Sequence, residues 1–522
     1  MPRPRLKSAF SAGGWAGVWR IAGIRVKEAT RRRRCNASPL HPPPIIMNPT
    51  RPTRPRQVAL FLLATALISA LPAAADVRLP KIFTDNMMLQ RGQPVRVWGW
   101  AEAGEAVSVA LAGKSATTQA DAKGEWKVEL AALKAGRNME LIVKGKNRIN
   151  LKNILIGDLW VCSGQSNMEM SLGQCLGAAD DIKDADLPLI RRIKIDRVQG
   201  PKPQPDAPVT SPWEVCSQAT AGGFTAVGFY FAREIQRKTK VPIGIIDSNW
   251  GGTRIEPWMA PETPGADGQL DGGRSGIYNA MIHPLVSLPI KGALWYQGEA
   301  NGDEGDTYYD KMKTLIGGWR KLWKIGDFPF YFVQLASFQS VSEEPAGGNG
   351  WAKLREAQTK SLTIPNTGMA VILDTVPLAE AGDIHPKNKY DVGLRLARWA
   401  LARDYDQKLE VSGPLFKALK IEGGKARLAF DHLGSGLMVG SKAGRSQAVE
   451  NKQGKLQRFA IAGADKQWFW AEAVIVNNTI TVSSPSVKVP VAVRYAYQMN
   501  PDGANLYNRD GLPASPFRTD AW

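Results

Sequence analysis

Between residues 77 and 155 the apolar positions come in short runs, several of them alternating with polar ones. Val95-Arg-Val-Trp-Gly-Trp100, Val107-Ser-Val-Ala-Leu111 and Trp126-Lys-Val-Glu-Leu130 each place apolar side chains on one face of a strand. Leu141-Ile-Val143 adds another run, and Ala103-Gly104 and Lys123-Gly124 supply turns. Short strands at this spacing predict a small β-sandwich over residues 76–155. The texture then changes. Ile154 to Cys162, Val241 to Asp247, Ile290 to Tyr296, Phe328 to Leu335 and Met369 to Asp374 are apolar enough to be buried on both faces. Phe229 to Thr239, Tyr308 to Trp323 and Asp391 to Ala402 lie between or after them with helical, amphipathic spacing. Such alternation predicts an α/β fold, a parallel sheet covered on both sides, over residues 156–405. Residues 406–522 return to short strands, such as Gln467-Trp-Phe-Trp470 and Thr479-Ile-Thr-Val482, and end in an irregular tail.

The net charge of +19 over 522 residues would ordinarily suggest a nucleic-acid partner. Its distribution removes that reading. Residues 1–75 hold 13 of the 67 Lys and Arg and a single acid, Glu28, so the rest carries 54 bases against 47 acids. A mildly basic large protein needs no polyanion. Within the first segment, Arg51, Arg54 and Arg56 precede the apolar run Val58 to Leu71, and Ala73-Ala74-Ala75 follows. These are the three parts of a secretory signal peptide, expected over 47–75, and the run is too short to span a bilayer. Residues 1–46 then read as a non-native or disordered extension, and the location as periplasmic or secreted. No later stretch is apolar enough for a membrane span. Cys35 falls in the removed segment, leaving Cys162, Cys175 and Cys216. A bridge between Cys175 and Cys216 and three buried thiols both fit that count.

Chemistry is expected beyond the C-terminal ends of parallel strands. There an apolar strand runs into Ser163-Gly-Gln-Ser-Asn167, where Gly164 tolerates a tight turn and Ser166 is presented. Met168 stands where the α/β-hydrolase elbow needs glycine, so that motif is excluded. A serine nucleophile needs a base, and beyond residue 75 the only histidines are His283, His385 and His432. His385 has Asp383 two residues away, able to orient an imidazole. His283 precedes a proline with no nearby acid and reads as structural, and His432 reads as a surface turn. Trp250-Gly-Gly-Thr253 and Trp295-Tyr-Gln-Gly-Glu299 follow two further strands and bring N–H groups to the same edge, as acyl transfer requires. No His-x-x-x-His pair or Cys/His cluster suggests a metal, and no cofactor is implied.

The blocks Gly164-Gln-Ser-Asn167, Trp250-Gly-Gly-Thr253, Trp295-Tyr-Gln-Gly-Glu299 and Asp383-Ile-His385 resemble, in order, those of the SGNH hydrolases. They look most like the sialic-acid-specific acetylesterase family, which includes plant-polysaccharide acetylesterases. The likeness extends from Leu79-Pro-Lys-Ile-Phe83 and Met88-Leu-Gln-Arg91 to Asn505-Leu-Tyr-Asn508 and Pro516-Phe-Arg-Thr-Asp520. It implies a flavodoxin-like three-layer SGNH domain flanked by β-sandwich modules. It also implies a carbohydrate O-acetylesterase, acting on acetylated hemicellulose such as xylan or xyloglucan, or on O-acetylated sialic acid. Ser166 would be the nucleophile and His385 the base. The oxyanion hole would be the Ser166 N–H, a glycine N–H of the pair Gly251-Gly252, with Gly251 preferred, and the Gln297 amide. Many SGNH hydrolases place the acid three residues before the histidine. Here Asp383 is two before, with Glu380 as the fallback.

Asn167, Arg254, Glu299 and Asn301 are candidate substrate contacts, or alternatively loop-shaping ion pairs and caps. Trp98, Trp100, Trp250, Trp258 and Trp295 could stack on sugars, although large aromatics more often fill cores. Two rival readings stand beside the esterase: an inactive carbohydrate-binding scaffold, and a lipase or thioesterase on the same fold. The intact Ser166, His385 and Gln297 oppose the first, and the polar loops Asn249 to Trp258 and Gly298 to Thr307 oppose the second. The sequence sets no oligomeric state.

Overall fold

The structure is a computed structural model of the chain and describes residues 76–261 and 274–522. The expected extension, signal peptide and Cys35 lie outside those residues. Among the described residues, seven strands precede the first helix: β1 (Met88–Gln90), β2 (Val95–Trp100), β3 (Ala106–Leu111), β4 (Lys114–Gln119), β5 (Glu125–Leu130), β6 (Gly136–Lys144) and β7 (Arg148–Gly164). The alternation seen in β2, β3 and β5 becomes buried-in, exposed-out patterning. β7 is unusual. Its first half pairs with β1 and β6, its second half enters the central sheet, and every residue from Ile154 to Gly164 is buried. The expected module boundary between residues 155 and 156 falls inside this continuous strand.

Downstream come α1 (Ser166–Glu169), α2 (Ala178–Lys183), β8 (Leu187–Ile195), β9 (Val209–Cys216), α3 (Ala226–Thr239), β10 (Ile243–Asn249) and β11 (Gly292–Tyr296). After them lie α4 (Gly305–Trp323), β12 (Phe330–Val333), α5 (Gly350–Lys360), β13 (Thr367–Ala370) and α6 (Lys389–Asp404). The strand order is β13-β12-β11-β7-β10-β8-β9, parallel throughout except for the edge strand β9. From β13 to β10 this is the flavodoxin-like order of a doubly wound sheet, and β7 lies at its switch point. Trp160 and Tyr331 point into the layer of α3 and α6 with Trp399, whereas Trp295 meets Trp319 of α4 on the other face. Side chains cap α3, α5 and α6 at Thr225, Asn349 and Asn388, each accepting a backbone N–H of the first turn.

Eleven strands over Leu415–Arg518 follow α6 and form three further sheets, of four, three and four strands. The protein is therefore a mixed α/β sheet with further β-sheets attached. One seam is held by Arg355 of α5, fully buried, whose guanidinium donates to four backbone carbonyls: Leu335, Ala336, Gln498 and Met499. Lacking a carboxylate, it is pushed by burial down to about 9. Cys162, Cys175 and Cys216 are free and buried, so the bridge considered between the last two is not formed. Cys175 instead turns its thiol to the Ser171 carbonyl.

Candidate active site

The end of β7 explains how a serine reaches the surface of a tightly packed sheet. Gly164 adopts φ 129°, and a Cβ there would lie 2.1 Å from the Tyr296 carbonyl oxygen. Glycine alone permits so close an approach. The next N–H, of Gln165, donates to that carbonyl at 3.0 Å, and Trp250 N–H donates to the Gly164 carbonyl at 3.0 Å. The ends of three adjacent strands are thus clasped together, and Ser166 opens α1 directly above them. His385 arrives from the loop between β13 and α6. Its Nε2 lies 2.8 Å from Ser166 Oγ, and its Nδ1 lies 3.1 Å from Asp383 Oδ1.

That same Asp383 oxygen accepts the His385 backbone N–H at 2.9 Å, a tight local turn that makes the two-residue spacing work. The other oxygen pairs with Lys387 at 3.1 Å. Partial burial works to raise the Asp383 carboxyl, but the bonds from His385 N–H, Lys387 and the imidazole outweigh it and hold it below its ordinary value. Glu380 sits exposed on a preceding turn, while Nδ1 faces Asp383. Ser166 and His385 open into a cavity of about 300 Å³, lined also by Glu169, Met170, Arg197 and Lys387.

Residues 156–402 match the family described as carbohydrate esterase, sialic acid-specific acetylesterase. A solved structure of a carbohydrate acetylesterase from Xanthomonas citri is 41% identical, with a TM-score of 0.78, covering 85% of this chain and 100% of that one. The chain belongs to the sialic acid-specific acetylesterase family of carbohydrate esterases. It is a carboxylic ester hydrolase. The sialate O-acetylesterase of Homo sapiens is 29% identical over 503 residues, covering 85% of this chain and 93% of the relative. That of Mus musculus is 28% identical over 525 residues, covering 83% and 93%. Among the described residues no helix is long and apolar enough to cross a membrane. Nor do they contain a group of three His, Cys, Asp or Glu side chains arranged to hold a metal.

Measured against this family member's geometry, several expected site residues have other settings. Gln297 is fully buried, and its amide donates to Gln165 Oε1, Thr253 O and Asn301 Oδ1 while Tyr308 donates to its oxygen. Those bonds brace the floor of the site. Gly251 does adjoin the nucleophile, since a Cβ on it would lie 3.3 Å from Ser166 Cβ. Its N–H, however, donates to Glu169 Oε2 at 2.9 Å. Gly252, with φ 75°, makes the turn that follows and faces open space. Asn167 and Asn301 are each 1% exposed and spend their amides on protein partners, so neither has surface to offer a sugar. Glu299 is tied to Asn167, with its Oε2 buried. Arg254 is exposed but braced against Ala300 O, Glu256 and Glu304. Trp258 and Trp295 are core, and Trp98, Trp100 and Trp250 are partly exposed. His283 meets Gln204 O and His432 pairs with Glu410, both far in sequence from the nucleophile.

Three residues of the site escaped the sequence. Glu169 follows Ser166 by three positions on α1, a spacing that puts both on one helix face and could have raised it. Arg197, which pairs with Glu169, carries no local signal. Lys389 looks like an ordinary helix-start lysine, yet it is fully buried.

Proposed function

We propose that the protein removes acetyl groups from a carbohydrate by a Ser-His-Asp mechanism through an acetyl-enzyme. The observation that carries this reading is the 2.8 Å contact between Ser166 Oγ and His385 Nε2 at the switch point of the sheet. His385 Nε2 takes the Ser166 proton as Oγ attacks the acetyl carbonyl carbon. The tetrahedral intermediate collapses, and His385 returns that proton to the departing sugar oxygen. Water, deprotonated at the same nitrogen, attacks the acetyl-serine and releases acetate. Asp383 holds Nδ1–H and balances the charge on the imidazolium. The Ser166 and Gly251 N–H groups receive the oxyanion, for which the carbonyl oxygen displaces Glu169 Oε2 from Gly251, and Glu169 keeps its pair with Arg197.

The substrate classes are acetylated hemicellulose and O-acetylated sialic acid. The Arg51 to Ala75 pattern supports a periplasmic or secreted enzyme, and the flanking β-sheets are read as β-sandwich modules over residues 76–155 and 406–522 around the 156–405 domain. The test is acetate release from acetylated xyloglucan, acetylated xylan and O-acetyl sialosides, with Ser166→Ala as control. One class should yield acetate, and the control should lose activity by several orders of magnitude. Activity on long-chain esters alone, or a tenth of wild-type activity left in Ser166→Ala, would overturn the reading.

A further inference from the structure

Directly beneath Ser166 lies a polar group that the chemistry above does not use. Lys389, the first residue of α6, is fully buried, and its ammonium nitrogen donates to Asn167 Oδ1. The Asn167 Nδ2 donates to Glu299 Oε1 and, at 3.0 Å, to the carbonyl of Ile384. Ile384 immediately precedes His385, and Asn167 immediately follows Ser166. One amide therefore joins the nucleophile turn to the histidine loop.

An amide has two ends that can exchange by a flip, and its partners decide which way it points. Lys389 can only donate, whereas the Ile384 carbonyl can only accept. With Lys389 in place, Oδ1 must face it and Nδ2 must face the loop. Without it, Glu299 and Ile384 still draw Nδ2 to their side, but the buried Oδ1 loses its donor and the amide one of the ties that hold it in place. We propose that Lys389 is a positioning residue: acting through Asn167, it fixes the His385 loop at the distance at which Nε2 meets Ser166 Oγ. The loop needs such an anchor, because the His385 and Asp383 side chains are themselves 35% and 44% exposed.

The surroundings fit a hydrogen-bonding rather than a charge-pairing role. Lys389 is faced by Glu299 from beyond β11, Cys175 from the turn before α2, and Lys387 and Asp383 from its own loop, and it lies over the Tyr296 ring at 5.1 Å. None of these carboxylates bonds it directly, and burial pushes it down to about 7. An amine donates to Oδ1 in either protonation state, so the anchor holds across neutrality. A buried lysine without a carboxylate partner is costly to keep, which argues for a use.

The inference rests on Ser166 and His385 doing the chemistry, and the test separates the two. In full-length enzyme, kcat and KM are measured on a chromogenic acetyl ester for Lys389→Met, Asn167→Ala and the double variant, beside Ser166→Ala. A misplacement of this kind is expected to lower kcat about 10- to 100-fold with KM within about twofold. Because Lys389 acts through Asn167, the double variant should be no slower than Asn167→Ala alone. The proposal is overturned if Lys389→Met keeps kcat within about twofold, if the losses multiply, or if they fall on KM, whereas an active Ser166→Ala would overturn the underlying mechanism instead. Should Lys389→Met not fold, Asn167→Asp decides: it keeps an oxygen for Lys389 but loses the donor to Ile384. The same kcat loss is then expected, and a kcat within about twofold of wild type overturns the proposal.

Discussion

Replacing Asp383 with asparagine tests how much an exposed carboxylate can do for a catalytic histidine. The variant keeps the size of the side chain and removes its charge. In the transition state the imidazolium forms beside Asp383 Oδ1, 3.1 Å from Nδ1, so the charge centres lie roughly 4 Å apart. Unit charges at that distance attract by ~1 kcal/mol in water and ~4 kcal/mol at an effective dielectric of ~20. Asp383 is 44% exposed and shares its other oxygen with Lys387, so solvent and lysine both screen the pair. A value of ~2–3 kcal/mol follows, or a kcat about 30- to 150-fold lower. That is well short of the ~10⁴ known for a buried triad aspartate. KM should change little, since the interaction strengthens only as charge develops. The carboxyl is held below its ordinary value, so it is charged throughout neutral pH and its contribution is lost only as pH falls through that lowered value. Steady-state kinetics on a chromogenic acetyl ester measures all of this. A loss below about threefold would refute the assignment of Asp383, and a matching loss in Glu380→Gln would move the role there.

Gly164→Ala forces a methyl to 2.1 Å from the Tyr296 carbonyl, and it should unfold the enzyme or lower its stability by more than ~3 kcal/mol in a urea titration; a variant of near-native stability would show that the strand ends can part. Arg355→Met strands the buried carbonyls of Leu335 and Gln498, each worth ~1–3 kcal/mol, while those of Ala336 and Met499 keep donors from Trp351 and Phe338, so a loss of at least ~2 kcal/mol is expected, and a shift under ~1 kcal/mol would deny the seam its importance. Burial raises the Cys175 thiol to about 11 and the Cys216 thiol to about 12, leaving little thiolate at pH 8. Iodoacetamide should therefore spare Cys162, Cys175 and Cys216 in the folded protein and alkylate them in urea, as peptide masses would report; modification of any of them in the folded state would contradict their burial.

The strands of the central sheet were legible because their apolar runs are buried on both faces: the ends of β10, β11 and β12 fall within two residues of their expected places, and β13 ends four residues early. β8 was not, because Arg191, Arg192 and Lys194 interrupt its apolar run. Arg192 is in fact buried between Asp247 and Glu214, partners that only the folded sheet brings near. The helix α5 hid for a related reason: its inward face includes Arg355 and Gln358, which satisfy backbone groups instead of filling apolar space. In the site, Ser166, His385 and Asp383 stood out through the scarcity of histidine and the position of strand ends. The polar residues beside them did not sort themselves into contacts and supports. Asn167, Gln297 and Asn301 have the composition of a binding surface, but their amides pair with one another and with loop backbone below it. Pattern alone cannot tell an amide facing a sugar from one facing a carbonyl.

The continuity of β7 also bears on how the enzyme is made. The chain emerges from synthesis N-terminus first, and β1 to β6 are complete before the second half of β7 is formed. The strand that carries Gly164 and Ser166 is registered against β6 through its own first half. β10 and β11, which come later in the chain, flank its second half. The N-terminal strands and the central ones are thus a single sheet joined through β7, and a chain lacking residues 76–147 is expected to leave the first half of the nucleophile's strand without its partners β1 and β6.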